Sequence, residues 1–209
     1  DFDGAEDDWD AEAELNRGSS GQNNDSNDSF WRRLSALVVP QKEKIVRRTR
    51  GDLKADIHLS FDYAMRNDVF STNQALSAVE SRVLKSWLRL LMLTLPSPWE
   101  ITGLLKELID NFIYVAESED YLVAVLDEYP PAAQSWSLSC SHGHPDEGYT
   151  CGLWELFHAV TVGVVDHNKA VFYPDDLLAT ESVARTIRDY VDNFFGCEIC
   201  LKHFVTTFD

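Results

Sequence analysis

Apolar residues recur at helical spacing along most of the chain beyond its first quarter. The clearest stripe runs from Ile101 to Ile113 and follows the three- and four-residue spacing of one buried helix face. Ser97, Pro98 and Glu100 come just before it, and they suit an N-cap, a first-turn proline and the acidic partner of a capping box. The pattern therefore predicts one helix over the whole stripe.

The helical pattern continues on both sides of this stripe. A second apolar stripe runs over residues 76–91, a shorter helix is expected over Ala55–Arg66, and the pair Pro130-Pro131 closes the set. This part of the chain holds no cysteine and only one histidine. We therefore expect a helical scaffold without chemistry of its own.

The chain changes character after the paired prolines, because all four cysteines lie there. Apolar stripes over residues 153–164 and 183–194 predict two more helices. Gly196 is suited to end the second of them, so that a new helix can begin at Cys197. Together the patterns predict an all-α protein.

Composition divides the chain into segments. Residues 1–29 hold ten acidic residues against one arginine and are rich in Ser, Asn and Gly, so a disordered segment or linker is expected. Residues 30–54 are basic, and we interpret them as a solvated strap, with a docking patch for the acidic arm as the alternative. Beyond them we expect a helix-rich domain over 55–130 and a second domain over 131–209.

Charge and hydropathy argue against two classes of function. Lys and Arg number 18 against 35 Asp and Glu, and a net charge of −17 repels phosphates, which argues against nucleic-acid binding. No run of eighteen apolar residues exists, so no membrane span is expected in this chain. Asn24 and Asn27 begin two Asn-x-Ser sequons, which are usable only if the chain is secreted.

Candidate chemistry is concentrated in the sequence Cys197-Glu-Ile-Cys200. At a helix start, the first thiol lies near unpaired backbone N–H groups and the positive end of the helix dipole, which favour the thiolate. The spacing also permits a disulfide within one turn. Lys202 adds positive charge, and His203 lies on the same face as Cys200. A redox-active pair is one interpretation of this motif.

Zinc is the alternative, because half of a zinc site has the same spacing. Cys140 and Cys151 are eleven residues apart rather than a tight pair, and Cys151 opens an apolar helix, which suits a structural disulfide. His142 and His144 are expected to be exposed loop residues. Incidental cysteines are the third possibility. The potential zinc ligands are Cys140, Cys151, Cys197, Cys200, His142, His144, His158 and His203.

Trp154 and His158 are four residues apart and lie on one face of the helix that begins near Cys151. An aromatic ring and an imidazole on one stripe can stack on and hydrogen-bond a flat cofactor. The alternative is that both are ordinary core residues.

Several of these segments also resemble a known family. Residues 151–158 read CGLWELFH, and about forty residues later the chain reads IRDYV, FFGCEIC and KHF. In this order and with these gaps, the motifs closely resemble those of the Erv/ALR flavin-linked sulfhydryl oxidases, most of all quiescin sulfhydryl oxidase. Residues 55–112 are similar to the helix-rich, degenerate Erv-like domain of that family, which lacks active cysteines.

The resemblance implies an activity and a redox site. Members of the family use FAD to oxidise protein dithiols to disulfides, and they reduce oxygen to hydrogen peroxide. By this resemblance Cys197 and Cys200 are the catalytic pair. Cys197 would exchange with the incoming dithiol, and Cys200 would pass electrons to the flavin.

The resemblance also assigns supporting residues. Cys140 and Cys151 look like a structural disulfide that ties a loop to the first Erv helix. Residues 131–209 look like the first part of a four-helix Erv domain, which a missing segment or a second chain would complete. The residues that would contact FAD are Trp154, His158, Cys200 and His203.

Disulfide chemistry implies an oxidising compartment, so the secretory pathway or secretion is expected. Two alternatives to the oxidase remain. The chain could be a non-catalytic helical interaction scaffold, or it could be a zinc-stabilised helical module. Bound flavin would distinguish the oxidase from the interaction scaffold. Cysteines paired in disulfides rather than bound to metal would exclude the zinc-stabilised module.

Overall fold

The computed structural model describes residues 49–71, 75–97, 99–144 and 147–208. Every regular element within these ranges is helical, which confirms the predicted all-α fold. The acidic segment 1–29, with both sequons, and residues 30–48 of the basic segment lie outside them. The helices are α1 (Arg50–Asn67), α2 (Ala78–Thr94), α3 (Ile101–Asp110), α4 (Phe112–Glu117), α5 (Glu119–Glu128), α6 (Leu138–Ser141), α7 (Tyr149–Ala170), α8 (Thr180–Phe194) and α9 (Glu198–Phe208).

Helix α1 begins at Arg50, earlier than the helix expected over Ala55–Arg66. Thr49 and Asp52 form a capping box: the Asp52 amide donates to Thr49 Oγ1 at 3.1 Å, and the Thr49 amide donates to Asp52 at 2.9 Å. These bonds satisfy backbone amides that a helix start otherwise leaves unpaired. The start of the helix is therefore set by local polar residues, not by the apolar stripe.

The capping box expected before α3 is wrong. Helix α3 begins at Ile101, and no side chain caps its first turn. The chain turns just before it, with Trp99 N–H donating to the Pro96 carbonyl, and Thr102 Oγ1 donating to the Ser97 carbonyl at 3.0 Å. The Ser97 hydroxyl therefore does not cap the helix as the sequence predicted; Pro98 lies outside the described residues.

The single helix expected through Ile113 is also wrong, because the chain breaks at Asn111. The Asn111 side chain donates to the Glu107 carbonyl at 3.2 Å and to its carboxylate at 2.7 Å, and a separate helix, α4, starts at Phe112. Ile113 is consequently 70% exposed. Helix α5 then follows, which the apolar pattern did not predict.

Helix α7 packs directly on α1 and α2 through two small residues. A β-carbon placed on Gly152 would lie 2.6 Å from the Asp56 carbonyl oxygen of α1. One placed on Gly163 would lie 2.0 Å from the Thr94 carbonyl oxygen of α2. Only glycine permits backbones to approach so closely. These contacts fix α7 against the first two helices.

The core joins both parts of the chain. Trp87 of α2 is fully buried, stacks on Tyr190 of α8 with ring centroids 4.7 Å apart, and meets Phe157 of α7 edge-on at 5.6 Å. The described residues from Thr49 onward form one compact unit. Helices from before and after Pro130 thus share one hydrophobic core.

Candidate functional site

Cys197 and Cys200 form a disulfide at the start of α9, with their Cα atoms 5.3 Å apart. Cys197 immediately precedes the helix, and its sulfur accepts a hydrogen bond from the Cys200 amide at 3.3 Å. Cys197 is half-buried and Cys200 is exposed. The pair is therefore open to attack by a thiol from solution.

Cys140 and Cys151 form the second disulfide, which joins α6 to α7. All four cysteines are thus paired, and disulfide sulfur does not ligate zinc as thiolate does. The described residues contain no group of three or more side chains that could hold a metal ion. His142 and His144 are exposed in the turn after α6, where His142 adopts a left-handed conformation. The zinc interpretation therefore lacks both its thiolates and a histidine cluster.

A cleft of about 510 Å³ opens between α7, α8 and α9. Trp154 and His158 line it from α7, Ile187 lines it from α8, and Phe204 lines it from α9. Apart from His158, this wall consists mainly of hydrocarbon and aromatic surface, with hydroxyl groups from two threonines, Thr161 and Thr180. Such a cleft suits a flat, largely apolar ligand with a few polar atoms.

Aromatic rings form one end of this cleft. Trp154 is 54% exposed, meets Phe157 edge-on at 5.6 Å, and lies 5.9 Å from the Phe204 ring. His158 is exposed as well. Trp154 and His158 are thus not core residues, and the structure brings them together as exposed neighbours on one cleft wall.

Helix α9 connects the disulfide to the cleft. Cys200 and Phe204 are four residues apart and therefore lie on the same helix face. His203 is exposed on α9 and is not among the residues that line the cleft, so its contact with a flavin stays a prediction. The sequence analysis assigned no role to Phe157 or Phe204, because within the CGLWELFH and KHF motifs they look like ordinary core positions.

The loop that leads into the disulfide packs on the end of α1. A β-carbon placed on Gly196 would lie 3.2 Å from Asp68 Oδ1. The other oxygen of Asp68 accepts a hydrogen bond from the Tyr149 hydroxyl. Sequence reasoning missed both residues, since they are 81 positions apart and belong to no local motif.

No described helix is both long enough and apolar enough to cross a bilayer.

Known proteins resemble this chain in sequence and in fold, although no family model matches it. Sulfhydryl oxidase 1 of Gallus gallus is 35% identical over 122 residues, which are 58% of this chain and 14% of the relative. Sulfhydryl oxidase 2 of Homo sapiens is 28% identical over 170 residues, which are 73% of this chain and 23% of the relative. The chain thus spans less than a quarter of the length of these two relatives.

The solved sulfhydryl oxidase fragment of human QSOX1 has the same fold. It superposes with a TM-score of 0.57 at 22% sequence identity, over 73% of this chain and 61% of that one. The sequence matches to relatives named sulfhydryl oxidase agree with this shared fold. Together they show that this chain contains a region like that of the quiescin-type sulfhydryl oxidases.

Proposed function

We propose that the chain is the redox-active part of an FAD-dependent thiol oxidase that forms disulfides in protein or peptide thiols. The observation that carries this proposal is the exposed Cys197–Cys200 disulfide, whose helix also supplies Phe204 to the apolar cleft. Its proposed substrates are protein dithiols and its proposed electron acceptor is oxygen, which becomes hydrogen peroxide.

Thiol–disulfide exchange at the pair balances atoms and electrons. A substrate thiolate attacks the Cys197 sulfur, the Cys197–Cys200 bond breaks, and Cys200 leaves as a thiolate. The second substrate thiolate attacks the substrate sulfur of the mixed disulfide. This step closes the substrate disulfide and releases Cys197. The substrate has then lost two electrons, which the reduced pair holds.

The start of α9 favours this reaction. Its first backbone N–H groups and the positive end of its dipole stabilise negative sulfur at the pair. The hydrogen bond from the Cys200 amide to Cys197 shows one such N–H group directed at sulfur.

The cleft is the proposed flavin site. Trp154 offers an exposed ring for stacking and His158 a polar ring nitrogen, and we propose that they hold the isoalloxazine together with Cys200 and His203. FAD, when bound, supplies a two-electron acceptor whose own chemistry reduces oxygen. The chain's part would be to exclude water with its aromatic wall and to present Cys200 to the flavin. A further segment or a second chain would complete the site.

We propose the secretory pathway or the extracellular space as the location, since the two disulfides and the thiol oxidase relatives fit an oxidising compartment. The sequons at Asn24 and Asn27 would then be usable for glycosylation.

Flavin absorbance tests the proposal. The purified full chain is mixed with FAD, and its spectrum is recorded in air-free buffer before and after the addition of dithiothreitol. We expect a protein-bound flavin band that bleaches on reduction and recovers in air with formation of peroxide. Cys200→Ser should keep the band and abolish the bleaching.

The matched control is the pair Cys140→Ser/Cys151→Ser, which should still bleach. A Trp154→Ala variant should lose affinity for FAD by about 10-fold or more, because a stacking ring is removed. If the wild-type chain binds no flavin, its own residues do not hold the cofactor, and the helical scaffold is favoured. If bound flavin does not respond to dithiol, the redox role of the pair is wrong.

A further inference from the structure

Asp68 lies where the end of α1, the start of α7 and the loop before the redox pair meet. It caps the C-terminus of α1, with its amide donating to the Ala64 carbonyl at 2.9 Å. Its Oδ1 faces Gly196 so closely that a β-carbon there would be 3.2 Å away. Gly196 directly precedes Cys197, so the carboxylate packs on the residue before the disulfide in the sequence.

Tyr149 holds the carboxylate in this place. Its hydroxyl donates to Asp68 Oδ2, and its ring packs between Tyr63 of α1, at 4.4 Å, and Phe195 of the disulfide loop, at 6.1 Å. Because Tyr149 is the first residue of α7, its side chain links α7 to α1 and to the loop before Cys197. The carboxylate is therefore clamped against the loop rather than free to turn to solvent.

The Asp68 carboxylate is half-buried and acts on the ionisable groups around it. Burial raises the pKa of its carboxyl, and the hydrogen bond from Tyr149 opposes that rise. The negative carboxylate in turn contributes to the raised pKa of Tyr149 and of fully buried Tyr190 in α8, for both of which burial is the main cause. The charge thus acts through a poorly solvated part of the fold, where screening is weak.

We propose that Asp68, clamped by Tyr149, is a positioning residue that seats the Cys197 loop and biases the pair toward its disulfide form. This inference rests on the proposed redox role of the pair. Reduction of the disulfide creates a thiolate at a cysteine pair whose first member, Cys197, directly follows Gly196, on which the Asp68 carboxylate packs. Because like charges repel, the carboxylate disfavours the thiolate and so favours the disulfide.

Redox equilibration with glutathione tests this proposal without flavin, oxygen or turnover. The full chain is equilibrated in buffers of fixed glutathione ratio, free thiols are alkylated, and the reduced fraction at Cys197 and Cys200 is read by mass. Asp68→Asn keeps an oxygen for the Tyr149 hydroxyl but removes the charge. We expect the equilibrium to shift toward the dithiol by about 3- to 10-fold.

Tyr149→Phe provides a second variant, since it keeps the charge but releases the clamp. It should shift the equilibrium in the same direction by a smaller factor, because the freed carboxylate can turn toward water. Asp110→Asn is the matched control: it removes an exposed carboxylate that pairs with Lys106, and it should leave the equilibrium unchanged.

The outcomes separate this inference from the proposed function. If Asp68→Asn and Tyr149→Phe both match the control while melting as the wild type does, the role of Asp68 is overturned. If the wild-type pair takes no electrons from glutathione or dithiothreitol, it is the proposed redox function that is contradicted. A shift toward the dithiol in Asp68→Asn supports the inference even if no oxidase activity is found, and a shift toward the disulfide contradicts it.

Discussion

At the scale of single residues, burial decides which ionisable groups the fold can tolerate as charges. His58 of α1 is only 7% exposed, and its Nε2 has no hydrogen-bond partner among the described residues. Burial lowers the pKa of this imidazole, and the nearby acids Asp62 and Glu100 offset part of that effect. The fold therefore favours neutral His58.

This preference predicts a loss of stability in acid. Since the folded pKa is below the usual value of about 6.5, the stabilisation is complete above that pH and is lost as the pH falls below it. The loss is at most about 1.4 kcal/mol for each pH unit. Urea unfolding at pH 7.5 and 5.5 should show a larger loss for the wild type than for His58→Gln. Equal losses would mean that His58 titrates as it does in the unfolded chain.

A second residue-scale prediction concerns the glycine that touches α2. Gly163→Ala should lower the free energy of unfolding by about 1–3 kcal/mol, because its β-carbon would overlap the Thr94 carbonyl oxygen. Gly103→Ala in α3 is the matched control, since its β-carbon would meet the Tyr129 ring at an ordinary 3.4 Å. The control should be neutral or slightly stabilising, as alanine favours helix. Similar effects in both variants would contradict the close approach.

At the scale of elements, apolar spacing located most helices but misjudged their ends. The stripe ending at Ile113 keeps helical spacing across Asn111, so periodicity cannot reveal the break that the Asn111 side chain makes with Glu107. The Ser97 capping signature was also present, but α3 begins only at Ile101, after a turn in which the Trp99 amide donates to the Pro96 carbonyl. Local hydrogen bonds set these helix ends, and the same sequence is compatible with several hydrogen-bond arrangements.

The disulfide between α6 and α7 allows an element-scale prediction. Replacing both Cys140 and Cys151 by serine should cost about 3 kcal/mol of stability, because a short loop of the unfolded chain loses its constraint. The reduced fraction of the Cys197–Cys200 pair in glutathione buffer should not change. Chemical denaturation and thiol mass analysis of the same variant measure both quantities. A change in the redox equilibrium without loss of stability would contradict a purely structural role.

At the scale of the whole molecule, one core serves the helices on both sides of Pro130. Sequence patterns separated a chemically silent region from one with cysteines, but they could not show that Trp87 packs on Tyr190. Contacts between residues distant in sequence were likewise not predictable at the redox site. The motifs pointed to Cys197, Cys200 and Trp154, whereas Asp68 comes near the pair only through tertiary packing.

The shared core predicts cooperative unfolding. Calorimetry of the full chain should give one main transition for the helical part of the chain, because Trp87, Phe157 and Tyr190 pack together across the two regions. Trp87→Leu and Tyr190→Leu should each lower the midpoint temperature of this transition. Their combined loss of unfolding free energy should be smaller than the sum of the separate losses by about 1 kcal/mol. Two separate transitions, each moved by only one substitution, would show that the regions fold independently.

The contrasting surroundings of two tryptophans have an optical consequence. Trp87 lies in a dry environment with no exposed surface, whereas Trp154 stands half in solvent at the cleft. Their fluorescence should therefore differ in colour, with blue-shifted emission from Trp87 and red-shifted emission from Trp154. Because Trp154 is the tryptophan that lines the cleft, a coloured ring entering it would quench emission that a Trp154→Phe variant lacks. Occupation of the cleft can then be followed in real time, without attaching a dye to the protein.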